Sequence, residues 1–450
     1  MKYLKEWLER LKSRPASGYY WEDRRHYEAR EALAACRGEG DWLTLSSHGN
    51  GFVREVAVRE LSEQPSPEVL PLLLERANDW VPQVRALAVA GVQRYLAPEH
   101  ASALLHALLP LMALAERQRA DHGPMLTAAR SVLQAPEARS QVEAVFRTRH
   151  GKAARFLFAL LLEAHANPVE FLRVALAHRE PTVRQMAITA CQALSAEQAC
   201  PLLLEAYARP GASVRVTALR VLLTQLDDPR SLLGEALLDA SPAVRSLARW
   251  AAPRWQVEAR DVLAARLRQP APTCKREWLG LLGLASELAV SVGEPWQSLA
   301  TQAPMSSVRL AVLEGLGQSD VVQLLMTLDD PVDKVFAKAL ERLHEQPWSA
   351  LSTAIDARLD QDWYALAGAR RTALMQLRPR WQQLAYLLHR LDRAPEERTY
   401  WLQQVSDWCN RQYLIVDPTT TKDEREHLLR RVEHLEQDGL LLEGSAKRLR

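Results

Sequence analysis

The sequence predicts an all-α fold: an α-solenoid, or superhelix, of antiparallel helical pairs with a period of about 31–32 residues and helical caps at both ends. Three observations predict it. The dipeptide Val-Arg recurs as Val53-Arg54, Val84-Arg85, Val183-Arg184, Val214-Arg215, Val244-Arg245 and Val308-Arg309, in steps of 31, 99, 31, 30 and 64 residues. The two long steps are close to three and two units. The residues three, four and seven places after the arginine are apolar or small in every copy, with Arg249 the one exception, as in Ala57, Val58 and Leu61 or Ala218, Leu219 and Leu222, which is one face of a helix. No run shows sustained period-two alternation, so no strands are expected.

The elements follow in order. Residues 1–40 read as an N-terminal cap, with Leu4, Trp7, Leu8 and Leu11 on one stripe of the first helix and Trp21–Cys36 as a second. Residues 41–330 read as the solenoid. Here Pro82, Pro181 and Pro242 open helices, because a first-turn proline gives up an N–H that has no intrahelical partner. A second apolar helix accompanies the copies at Pro67–Ala77, Glu197–Ala208, Pro229–Ala240 and Ser319–Asp330, with Asp, Gly, Pro and Ser between runs. In 120–177 and 271–303 the expectation rests on spacing and on degenerate helices such as "AARFLFALLLEA" and "CKREWLGLLGLA".

Residues 331–393 read as diverged pairs, in which Lys334-Val335 takes the place of the dipeptide. Aromatics multiply from there on: Trp348, Trp363, Tyr364, Trp381, Tyr386, Tyr400, Trp401, Trp408 and Tyr413. Residues 394–450 read as a C-terminal helical cap. Its last helix has Thr or Asp as N-cap, acids in the first turn and Gly439 as a stop.

The motif of proline, two residues, valine, arginine and a following alanine, as in Pro242 through Ala248, resembles the HEAT-repeat family in its short bacterial form, related to bilin-lyase-type HEAT repeats. The resemblance is direct over Gly49–Ala77, Asp79–Arg94, Glu180–Ala265 and Ala303–Leu328. It implies that an aspartate six residues before the arginine joins a hydrogen-bonded ladder between turns. Asp79 and Asp239 match that position, whereas His48, His178, Arg209 and Ala303 do not.

Composition bounds the function. Hydrophobic residues at 48% and charged residues at 25% describe a folded chain, and 57 basic against 55 acidic side chains leave a net charge of +2. So balanced a molecule has no overall field to recruit a polyanion or an anionic membrane, and any basic site must be local. Nine of the basic residues are lysine and the other 48 arginine, a bias that genomic base composition or bidentate pairing can produce. Five widely spaced cysteines without C-x-x-C suggest neither a disulfide framework nor zinc, and fit a reducing compartment. The N-terminus has no signal-peptide core and no long uncharged apolar stretch occurs, so a cytoplasmic protein is expected.

Catalytic motifs for phosphate loops, metallohydrolases and serine hydrolases are absent, and no histidine pair has the i, i+4 spacing of a helical zinc site, so neither cofactor nor metal is expected. The primary reading is therefore a non-enzymatic module that binds a protein partner through many shallow side chains of a repeat face. Arg220, Arg249, Trp250, Arg254 and Trp255 are the candidate partner-binding residues. Arg249 stands where other copies have Val58, Val89, Ile188, Leu219 or Leu313, and Pro253 stops its helix early. Either Trp250 or Trp255 fills the layer while Arg249 snorkels outward, or the irregular repeat presents Arg249, Arg254 and a tryptophan to a partner.

A second reading is nucleic-acid binding by arginine clusters: Arg245, Arg249, Arg254, Arg260, Arg266 and Arg268, then Arg370, Arg371, Arg378 and Arg380. Nearby acids make both stretches mixed in sign. HEAT-like alkylpurine DNA glycosylases use tryptophans, an aspartate and arginines in a cleft. Asp362, Trp363, Arg370 and Arg371 are the residues of that chemical style here, and a solvated helix with one buried tryptophan is the alternative for them.

Overall fold

Valine places each repeat helix against its neighbours: Val53, Val84, Val183, Val244 and Val308 are wholly enclosed and Val214 nearly so. The alanine or valine three residues after each arginine is buried too, as is the residue seven after. Small residues at the first position let helices approach closely. A computed structural model describes residues 2–12, 20–36, 39–63, 65–316, 320–412 and 415–449, and every regular element among them is helical. The chain forms two compact units, Met1–Pro229 and Arg230–Arg450. Each is a stack of helical pairs.

In the first unit the repeat helices are Gly51–Leu61, Pro82–Gln93, Gly123–Gln134, Gly151–Ala164, Pro181–Cys191 and Ala212–Gln225. Most pack on the helix before them, for example Pro181–Cys191 on Val169–Leu176 and Ala212–Gln225 on Ala196–Ala208, whereas Gly123–Gln134 packs on Ala101–His106. The second unit repeats this with Arg230–Leu237 on Pro242–Ala251, Ala259–Leu267 on Lys275–Glu287, Trp296–Thr301 on Ser306–Gly315, and Val321–Met326 on Asp333–His344. Three expected helices are shorter than read, Pro229–Ala240 being helical only as Arg230–Leu237. Pro67–Ala77 is helical only as Leu70–Arg76, and the Ser319–Asp330 run is Val321–Met326 followed by a 3-10 turn, with Ser319 outside the described residues.

The N-terminal helix, Lys2–Lys12, buries Leu4 and Trp7 against Gly51–Leu61, while the side chain of Leu11 lies outside the described residues, as does Tyr413. At the other end Thr421 caps Lys422–Gln437 in a capping box with Glu424, and Gly439 adopts φ 73°. Only glycine takes that backbone cheaply.

The turn ladder is real, and it is wider than its aspartates. Asp79 accepts the Val81 N–H at 2.9 Å, Asp239 that of Ser241 at 2.7 Å and Asp330 that of Val332 at 2.8 Å. His48 and His178 do the same with a ring nitrogen, accepting from Asn50 and Glu180 at 3.0 Å. The arginine side also recurs: Arg54, Arg85, Arg245 and Arg309 each donate to the carbonyl six residues earlier, at 2.7–2.8 Å. These bonds satisfy carbonyls left open where one helix ends and the next begins. Arg54 adds a buried two-pronged pair with Asp79, both contacts at 2.8 Å, and Arg309 one with Asp330 at 2.6 and 3.0 Å.

One expected register is corrected. Val335, not Lys334, is the enclosed valine, with Ala339, Leu340 and Leu343 buried after it and Asp330 in the ladder before it. Phe336 therefore stands at the arginine position. The missing guanidinium comes from the second helix on, Gly368–Gln376: Arg370 lies over the Phe336 ring at 4.6 Å and donates to the Asp330 carbonyl at 2.8 Å.

Candidate partner-binding surface

Four of the five candidate residues share one helix end in the second unit; Arg220 is exposed on Ala212–Gln225 in the first. Pro242–Ala251 stops early, continues as a 3-10 turn through Ala252–Trp255, and reverses at Gln256, whose φ of 55° is left-handed. The turn leaves Arg254 exposed and Trp255 half-buried.

Arg249 is held inward. Its Nε lies 3.2 Å from Glu287 Oε2, while Arg245 reaches Oε1 of the same carboxylate with two donors. Gly283, on the same helix as Glu287, leaves the space into which the Arg245 guanidinium fits; a Cβ there would collide with it. Thus a core position is filled by a charge because a neighbouring repeat supplies the counter-charge.

Trp250 does not fill the layer. It is 77% exposed, because a residue five places after the arginine points away from the face defined by offsets three, four and seven. Other copies place Arg59, Ala90, Thr189, Arg220 and Glu314 there, so the repeat asks for nothing apolar at this position.

Asp362, Trp363, Arg370 and Arg371 meet a different environment. Trp363 is 3% exposed, packs at 4.8 Å from the Trp401 ring, and donates its indole N–H to Tyr400 Oη at 2.8 Å. Arg371 lies over the Trp363 ring at 4.8 Å and donates to its carbonyl at 2.9 Å. Arg370 is spent on Phe336, Asp333 and two carbonyls. Asp362 is half-buried at the end of the Trp348–Asp362 helix.

The surrounding aromatics are core as well. Trp381, Tyr386, Trp401 and Trp408 are buried, Arg378 stacks over Tyr386 at 4.1 Å, and Arg390 over Trp401 at 4.8 Å. Beside them a cleft of about 380 Å³ is lined by Trp363, Arg371, Arg380, Arg411 and several glutamines.

The electrostatics are those of a braced frame. Burial pushes the Asp79 and Asp330 carboxyls up, but the Arg54 and Arg309 guanidinia and the backbone N–H donors outweigh it and hold both below the usual carboxylate value. Burial pushes the Cys191 and Cys409 thiols up to about 11, which leaves them poor nucleophiles. Among the described residues no group of three or more His, Cys, Asp or Glu could hold a metal ion. No described helix is long and apolar enough to cross a membrane.

Sequence reasoning passed over Trp80. It sits in a turn where other copies have Gly49, Arg179, Pro210, Ala240 and Pro304, is 56% exposed, and carries the Arg54 guanidinium at 5.3 Å from its ring. Comparison of the six turns alone would have singled it out.

No protein-family model matches the chain, and no curated protein does. Among solved structures, a homology model of the full-length AP-3 complex in an intermediate open conformation is 12% identical, with a TM-score of 0.26 over 96% of this chain and 92% of that one. The karyopherin Kap121p is 14% identical in two structures, bound to the SUMO protease Ulp1p and to Pho4p, each with a TM-score of 0.28 over 94% of this chain. The chain spans about half the length of that karyopherin, 47% and 48% in the two structures.

Proposed function

We propose that this chain is a non-enzymatic protein-interaction scaffold of a bacterial cytoplasm, binding a protein partner through exposed side chains of its helical repeats. The observation that carries the reading is Trp250, a large aromatic 77% exposed at a position the repeat fills with polar or small residues elsewhere. Tryptophan and arginine dominate binding hot spots because a rigid apolar surface with a charged fork gains much on burial for little lost freedom. Arg254 and Trp255 follow on the 3-10 turn that ends its helix, and Arg220 offers a charged contact on the first unit. The short bacterial repeat form that the sequence resembles and its five scattered cysteines support the compartment. An adaptor, an assembly factor and an inhibitory binder of an effector or toxin all use such a surface.

The test is affinity capture from the native host with the tagged chain. A specific partner is expected to be retained by the parent and lost on combining Trp250→Ala with Arg254→Ala, at an unchanged thermal midpoint. Retention by the double variant would refute this surface.

A second reading is nucleic-acid binding at the cleft beside Trp363, which Arg380 and Arg411 favour because both are exposed at its lining. A steep salt dependence of binding to short duplex DNA, lost on Arg380→Glu with Arg411→Glu, would select it over the first.

A further inference from the structure

Trp80 borders a cleft of about 370 Å³ in the first unit, between Leu70–Arg76 and Leu108–Leu114. Its floor is aliphatic: Pro71, Leu72, Leu74, Pro110 and Leu114. The charges around it are unevenly spent. Asp79 is occupied by the two-pronged contact with Arg54 and by Arg76, and Glu75 is paired with Arg76. Asn78 is bonded through its side-chain oxygen and its carbonyl to Arg119. That leaves the exposed guanidinia of Arg117 and Arg119 at the lining with no carboxylate partner among the described residues. Of the acids beside them in sequence, Glu116 faces Lys152 and Asp121 accepts the Gly123 N–H.

From this juxtaposition we propose that the Trp80 cleft binds an acidic segment of a partner polypeptide, seating one apolar side chain on the aliphatic floor with a flanking carboxylate against Arg117 and Arg119. The proposal deepens the reading of the chain as a protein-binding scaffold and rests on it. Trp80 is not needed by its turn, since the other copies build the same turn without an aromatic. It is nevertheless held: Arg54, fixed by Asp79 and by the His48 and Gly49 carbonyls, lies against its ring. An exposed aromatic already fixed in place loses little freedom on binding.

The volume is at the low end for ligand sites and suits one or two side chains. A nucleic-acid strand fits less well. It would need a row of stacking platforms and a cation track, whereas the cleft has one ring and an aliphatic floor.

The experiment is fluorescence anisotropy on the full chain with a short fluorescein-labelled peptide of Asp, Glu and Leu. The probes beside it are the same peptide with Lys for the acids, the same with Ser for Leu, and a labelled oligothymidylate. The acidic leucine peptide is expected to bind at least about tenfold more tightly than any other probe. Trp80→Ala is expected to weaken it about tenfold, and Arg117→Glu with Arg119→Glu to abolish the preference for the acidic peptide.

Equal binding of the Ser-for-Leu or the Lys-for-acid peptide, or tighter binding of oligothymidylate, would overturn the proposal. So would full affinity in Trp80→Ala. Should Trp80→Ala lower the thermal midpoint, the exposed Arg117→Glu exchange decides alone. If the acidic peptide fails to bind while capture from the host still depends on Trp250, this cleft is refuted and the scaffold reading stands. If the peptide binds through Trp80 while capture ignores Trp250, the Trp250 surface is wrong and the cleft stands.

Discussion

Residues 249–255 and 362–371 of the second unit carry the same chemistry, arginine beside tryptophan, and meet opposite fates. In the first stretch Trp250 stands 77% exposed; in the second Trp363 is 3% exposed and roofed by Arg371. An arginine–tryptophan cluster is therefore no sign of a binding site by itself. Helical phase and the neighbouring helix decide. Trp250 lies off the packed face, whereas Trp363 is met by Trp401 and Tyr400 from Arg398–Asn410, which turn it into the centre of an aromatic layer.

The largest effect expected from this contrast is in that layer. Trp363→Ala should destabilise the chain by about 3–5 kcal/mol in chemical denaturation, because a large cavity opens and Tyr400 loses its donor. A cost below about 1 kcal/mol would mean that the layer is loosely packed and the contrast false.

Close behind is the buried pair of the first unit. Arg54→Ala or Asp79→Ala alone should cost about 3–5 kcal/mol, since each strands a buried charge, and replacing both by apolar residues of similar size should cost less than either. A double-mutant cycle measures this directly.

Acid should then reach the second unit through Asp417. Burial pushes its carboxyl up, but the Thr419 and Thr420 hydroxyls and the Trp381 and Thr420 N–H groups prevail and hold it at about 2, against an ordinary 3.8. A depressed carboxyl contributes stability that is fully present above pH 3.8 and is lost as pH falls through about 2. Asp417→Asn should be less stable at neutral pH and show a flatter decline over that window in acid titration followed by circular dichroism.

Smaller again is the borrowed guanidinium. Arg370→Ala should cost about 1–2 kcal/mol by losing its stack on Phe336 and two carbonyl bonds. Phe336→Arg in that background should recover part of it, because it restores the repeat's own arginine. The smallest effect is at Trp250. Trp250→Ala should change stability by no more than about 0.5 kcal/mol, as surface exchanges do, while weakening partner capture.

Much of the frame was legible because it repeats. Val-Arg at fixed spacing fixed the helices around Gly51–Leu61, Pro82–Gln93, Pro181–Cys191, Ala212–Gln225, Pro242–Ala251 and Ser306–Gly315. The gaps were opaque for one reason: the arginine that served as the marker is replaced by an apolar residue. Burial puts Ala154 in its place on Gly151–Ala164, Trp278 on Lys275–Glu287 and Phe336 on Asp333–His344. His48 and His178 were hidden in the same way, since an imidazole nitrogen performs the carboxylate's task with different letters. At the candidate surface the odd character of Arg249, the early helix stop and the off-face phase of Trp250 could be read, and Trp80 stood out in its turn; the cleft that Trp80 borders could not be read.

The sequence by itself determined that the marked repeat segments form helices and which face of each is apolar, because those follow from propensity, capping and period within one segment. Only the tertiary structure decided which arginines are spent and which are free. A guanidinium finds its partner 25 residues on, as Arg54 finds Asp79, or 42 on, as Arg245 finds Glu287, and no local pattern encodes that distance. The burial of Trp363 likewise depends on Trp401 and Tyr400 of a helix further along the chain, whereas the exposure of Trp250 follows from its own helical phase.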